Sequence, residues 1–113
     1  MPLHCWSSAT YAIPLPEGHR FPMAKYALLR DGVREHGWVE AAHLHDPPRA
    51  DAVDLLRVHT PTYVQQVTDG SLPAAEQRRI GLPWSPAFVE RAWRVVRGTI
   101  EASEAALTHG IAM

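Results

Sequence analysis

Two histidines set two positions apart, His43 and His45, with Asp46 beside them, form the tightest grouping of metal-capable side chains in the sequence. Residues two apart on a strand face the same side. The pair can therefore in principle share a metal, with a third ligand from His4 or Cys5 on a neighbouring strand. Such spacing is a weak signal, and the plainer assignment is polar residues at a strand end near solvent, so no metal ligand is assigned. Cys5, the single cysteine, would need a histidine base and an orienting carboxylate to act as a nucleophile. No such carboxylate stands in the local pattern, and the residue reads as a small buried hydrophobe. One cysteine also excludes a disulfide framework and a multi-cysteine zinc site. His59 reads as a structural imidazole hydrogen-bonded to loop backbone, and His109 as a helix-end residue that complements the dipole. No Gly-x-Ser-x-Gly, glycine-rich phosphate loop or His-Glu-x-x-His occurs. These patterns assign no catalytic residue.

The elements that would position these residues follow from periodicity and punctuation. Residues 3–7 read as a short buried strand, followed by a loop held extended by Pro14 and Pro16. A helix is expected over 22–35, with Met23, Tyr26, Ala27, Leu29, Arg30 and Val33 recurring at helical steps and Gly37 ending it. A second strand is expected over 39–44. Asp51 reads as the cap of a turn over 52–57 that presents Val53 and Leu56 inward. Thr60 followed by Pro61 opens a helix over 61–68 that closes at Gly70. Residues 73–77 add one further turn. Ser85 and Pro86 start the longest helix, 86–109, whose face holds Val89, Ala92, Trp93, Val96, Ile100, Ser103 and Leu107.

A helix of that length, about 36 Å at 1.5 Å per residue, is as long as a small domain is wide. Two parallel strands alone also leave edges that a parallel sheet normally buries between helix layers. The pattern therefore reads as the incomplete start of a larger α/β sheet domain, mostly helical with about two short parallel strands. Composition agrees with a globular protein: 113 residues, 46% hydrophobic, 20% charged, net charge −1. With no block of Lys or Arg, nucleic acid is not an expected partner. No leader-like or membrane-spanning run is visible, and a cytoplasmic location is expected.

Three segments carry a resemblance. Leu15-Pro16-Glu17-Gly18-His19-Arg20-Phe21-Pro22-Met23-Ala24-Lys25-Tyr26, Val58-His59-Thr60-Pro61-Thr62-Tyr63-Val64 and Arg78-Arg79-Ile80-Gly81-Leu82-Pro83-Trp84-Ser85-Pro86 are similar, in that order, to the N-terminal region of the histone deacetylase and acetylpolyamine amidohydrolase superfamily. They look most like its bacterial members. The resemblance covers nearly the whole chain and implies that residues 1–113 are the N-terminal part of a single deacetylase-like α/β domain. It implies an arginase/deacetylase-like parallel sheet of about eight strands with helices on both faces. The implied chemistry is hydrolysis of N-acetyl amides by a zinc ion held by two aspartates and a histidine, with a tandem-histidine base.

The sequence contains no His-His pair and no Asp-x-His segment, so the chain alone is expected to be inactive and to bind no zinc. Arg20 is the one functional residue carried over. The resemblance places it beside an internal channel through which released acetate passes, where a buried guanidinium would attract a carboxylate. The plainer role is to tie the proline-rich loop to backbone carbonyls. The expected partner is the remainder of the domain, or a second copy held through exposed apolar surface. The alternative reading is a non-catalytic binding or assembly module that uses the same surface.

Overall fold

The structure, a computed structural model, describes residues 2–113. It is a helix-rich α/β arrangement around two short parallel strands, β1 (Cys5–Trp6) and β2 (Leu44–His45), in the register Cys5 to Leu44 and Trp6 to His45. The free side of β1 carries a further parallel bridge, His4 to Ala112. There the Met113 N–H donates to the His4 carbonyl at 3.0 Å, and the Trp6 N–H donates to the Met113 main-chain oxygen at 2.8 Å. Thus β1 is flanked on both sides, with the end of the chain entering the ladder opposite β2.

Alternation along the strands sorts side chains onto two faces. Cys5 and Leu44 join Val33, Val39 and Leu3 in an apolar cluster. Val33 belongs to α1 (Lys25–Glu35). On the opposite face Trp6 reaches α5 (Pro86–His109), its indole N–H donating to Glu101 at 2.8 Å. Helices therefore lie on both sides of the strands, as parallel pairing requires.

The locally encoded helix ends appear as expected. Thr60 Oγ1 accepts from the Tyr63 N–H at the start of α3 (Pro61–Asp69), and Ser85 Oγ accepts from the Phe88 N–H at the start of α5. Both helices close on a left-handed glycine, Gly70 and Gly110. Asp51 precedes α2 (Ala52–Leu56) in extended geometry but makes no side-chain cap bond.

Other expectations are corrected. The second strand is not 39–44. Ala41–His43 forms a 3-10 turn, and only Leu44–His45 pairs, because the Ala-Ala-His run has little β preference and β1 offers a two-residue partner. The first helix begins at Lys25, since residues 22–24 form a preceding turn with the Lys25 N–H donating to the Pro22 carbonyl at 3.0 Å. In α2 the inward residue is Leu55, while Val53 and Leu56 are exposed. Leu29 of α1 and Leu107 of α5 are exposed as well, the latter at 90%. The single turn expected at 73–77 is a longer helix, α4 (Ala74–Ile80).

A second apolar cluster joins Ile13, Phe88 and Val89 with Leu15, Met23, Val67, Leu82 and Trp93. It knits the proline-rich loop, α3 and the first half of α5. Farther along α5, Gly98 lets the helix pass close to the loop after β2: a Cβ there would stand 3.1 Å from the Pro47 Cβ.

The body is flat and open. Its extents are 46 × 35 × 17 Å and its radius of gyration is 15.6 Å, against about 13 Å for a compact domain of this length. A folded monomer of 12.6 kDa exposes about 6,200 Å², whereas this chain exposes 7343 Å². The excess, about 1,100 Å², is comparable to one side of a standard protein interface. No side chain among the described residues falls below 2% exposure. The two apolar clusters are real but thinly covered.

Candidate functional site

The sheet face turned toward α5 gathers four of the seven histidines. His4 is central. Its ring lies edge to edge with His45, centroids 5.1 Å apart and planes only 4° apart, and near His109 at 5.2 Å and 17°. His43 lies 4.3 Å away. Trp6 completes the group, 4.7 Å from the His45 ring. The parallel ladder explains the gathering: His4 and His43 stand just before the paired residues, and His45 is itself paired with Trp6. His109 arrives from the last turn of α5.

His4 Nδ1 and His45 Nε2 lie 2.8 Å apart, so one ring N–H donates to the bare nitrogen of the other. Burial, and then the neighbouring His43, His45 and His109, hold the His4 imidazole below its ordinary pKa. Beside the rings an open hollow of about 390 Å³ is bounded by Trp6, Glu101, Glu104 and Thr108. Both carboxylate oxygens of Glu101 are engaged, by the Trp6 indole N–H at 2.8 Å and by Arg97 Nε at 3.2 Å. His43 and His45 stand at the strand end near solvent, as expected, half-buried and with His45 bordering the open hollow; the added finding is that both rings lie against His4.

The facing nitrogens of His4 and His45 are spent on each other, 2.8 Å apart, rather than aimed at a common point. No group of three or more His, Cys, Asp and Glu side chains among the described residues is placed to hold a metal ion. The zinc implied by the resemblance thus finds no fitting ligand set among the described residues. Cys5 points to the other face of β1 and is buried, which pushes its thiol pKa up. It shares no site with the histidines. His59 is exposed and packs on the Tyr63 ring at 5.2 Å.

Arg20 is exposed in the loop before α1. The arginine that does tie the β1-to-α1 connection down, at its 3-10 turn Ala9–Tyr11, is Arg91 of α5, which sequence reasoning missed. Arg91 is 8% exposed. Its Nη1 donates to the Ser8 carbonyl at 3.1 Å and to the Tyr11 carbonyl at 3.4 Å, and its guanidinium lies 4.3 Å from the Tyr26 ring centroid. The one signal available in the sequence was its position three residues after Phe88, on the same side of the helix. A neighbouring clamp joins α5 to the loop after β2: Arg94 and Arg49 contact Glu90 at 2.6 and 2.7 Å, and Arg94 Nη1 donates to the Pro47 carbonyl at 3.1 Å. The Arg94 hydrogen bond is the main reason the Glu90 carboxyl lies below the usual carboxylate range.

Comparison with known proteins places the chain beside a longer one. An uncharacterized protein of Picosynechococcus sp. is 43% identical over 102 residues, covering 90% of this chain and 34% of that protein. The chain therefore spans about a third of the length of the curated relative it matches. No family model matches. Among the described residues, no helix is long and apolar enough to cross a membrane.

Proposed function

We propose that these residues form the opening portion of a deacetylase-like, zinc-dependent N-acetyl amide hydrolase, cytoplasmic and without catalysis of its own. The observation that carries the reading is the flanked, parallel β1. With β2 on one side, residues 112–113 on the other and helices on both faces, it has the surroundings of an inner strand of a wider doubly covered sheet. The three resembling segments fall at its junctions: the loop into α1, the start of α3 and the passage from α4 to α5. The longer relative supports the same reading, since its extra length is ample for the remaining strands.

In the complete domain zinc would polarise the amide carbonyl and activate water, held by residues that this chain does not contain. The contribution of this chain is positional. Its strands and α5 offer a surface on which further strands are laid, and Arg20 awaits burial by them before it can attract acetate. The expected partner is that remainder. Its place can be taken by a second copy, and this is the basis of the alternative reading as an assembly module.

Acetyl-lysine and acetylpolyamine substrates test the proposal. This chain with added zinc should give no turnover above buffer, while the longer Picosynechococcus protein should hydrolyse one of the substrates and lose activity to a chelator. In a version of that protein whose matching segment is exchanged for this chain, Arg20→Ala should lower turnover without removing zinc. Absence of hydrolysis by the zinc-loaded longer protein overturns the assignment. Wild-type turnover in the arginine variant overturns the channel role alone.

A further inference from the structure

We propose that the imidazole cluster of His4, His43, His45 and His109 is an acid-released clasp: neutral, it fastens the end of α5 and residues 112–113 onto β1, and a second proton opens it. This inference does not depend on the hydrolase reading. Its basis is the geometry of four rings from three separate parts of the chain, centred on His4 at centroid distances of 4.3, 5.1 and 5.2 Å. The 2.8 Å contact between His4 and His45 requires one ring to accept a proton from the other. Protonating both would turn that hydrogen bond into two N–H groups facing each other.

The surrounding charges accommodate one proton but not two. The Trp6 ring, 4.7 Å from His45, offers its face to a cation. Glu40 lies 3.9 Å from His43 Nδ1 but is 80% exposed, which weakens its attraction. On α5, Glu101 is already engaged by Trp6 and Arg97, and Glu104 borders the hollow without bonding a ring. A second imidazolium would therefore meet a like charge on the adjoining ring, against which the largely solvated Glu40 carboxylate, 3.9 Å from His43, offers little compensation. His109 links this repulsion to the ladder, because only Gly110 and Ile111 separate it from Ala112, the bridge partner of His4.

The direction follows from linkage. A histidine whose pKa is lowered by folding leaves stability intact above its ordinary pKa. That stability is lost as pH falls from the ordinary value through the lowered one, because the open state takes up the proton first. The Trp6 and Met113 amides, which join β1 to residue 113, should report the loss.

Amide hydrogen exchange, corrected for intrinsic rates, from about pH 8 to about pH 5 spans the histidine range. Protection of Trp6 and Met113 should fall several-fold, while the middle of α5 near Ala92 stays unchanged. In His4→Phe, which keeps an aromatic ring, and separately in His109→Phe, the fall should disappear. Constant protection of the wild-type ladder across this range overturns the proposal, as does a fall of the same size in both variants.

Discussion

Replacing Arg91 by alanine should cost about 3 kcal/mol of folding stability, combining a lost charge-assisted hydrogen bond, a lost contact with an aromatic face and a lost buried stem. The side chain leaves two carbonyls, Ser8 and Tyr11, without its guanidinium and uncovers the Tyr26 ring. Those groups sit where the 3-10 turn Ala9–Tyr11, α1 and α5 meet, so the loss spreads beyond one loop. Arg91→Lys keeps the charge but not the planar fork, and should recover only part of the difference. Urea denaturation monitored by tryptophan fluorescence measures the effect. At the slopes typical of small proteins, the alanine midpoint should drop by about 2 M. A midpoint within experimental error of the parent would remove Arg91 from its role as the tie of the loop.

Gly70→Ala should be almost as damaging, for a different reason. Gly70 ends α3 at φ 80°, and a Cβ there would lie 2.8 Å from Cε2 of Trp84. The indole cannot move aside freely, because its Nε1 donates to the Val67 carbonyl at 2.8 Å. The left-handed backbone alone costs about 1–2 kcal/mol, and the overlap adds about 1–3 kcal/mol. Gly81, at φ 82° with nothing within 4 Å of its would-be Cβ, separates the two contributions. Gly81→Ala should show the backbone cost only. Equal thermal shifts in the two variants would mean that Trp84 is not fixed over Gly70.

The parts of this fold that were legible in the sequence are those encoded within a few residues. Thr60-Pro61, Ser85-Pro86, Gly70 and Gly110 each carry their instruction locally, as a cap hydroxyl, a preset φ or a left-handed stop, and α3 and α5 begin and end accordingly. The second strand was misplaced because its limits are set by pairing with β1, a partner nearly 40 positions away. Leu55, rather than Val53 or Leu56, is buried because a five-residue helix has too short a periodic pattern to define its face; the hollow that Leu55 lines together with Val64, Val67 and Trp93 decides it. The histidine cluster was hidden for the same kind of reason. Pairing His43 with His45, and naming His4 as their neighbour, was within reach of strand alternation. Bringing His109 to them required knowing that the chain after α5 enters the ladder beside β1.

In the proposed function the open surface of this chain is covered by more sheet. The chain exposes about 1,100 Å² more than a compact monomer of its mass. Sedimentation equilibrium of the 113-residue chain over a wide concentration range measures the consequence directly. The predicted result is an average mass that rises with concentration above 12.6 kDa, as copies cover one another's open faces in the absence of the remaining strands. A cooperatively folded chain that stays at 12.6 kDa throughout would contradict it.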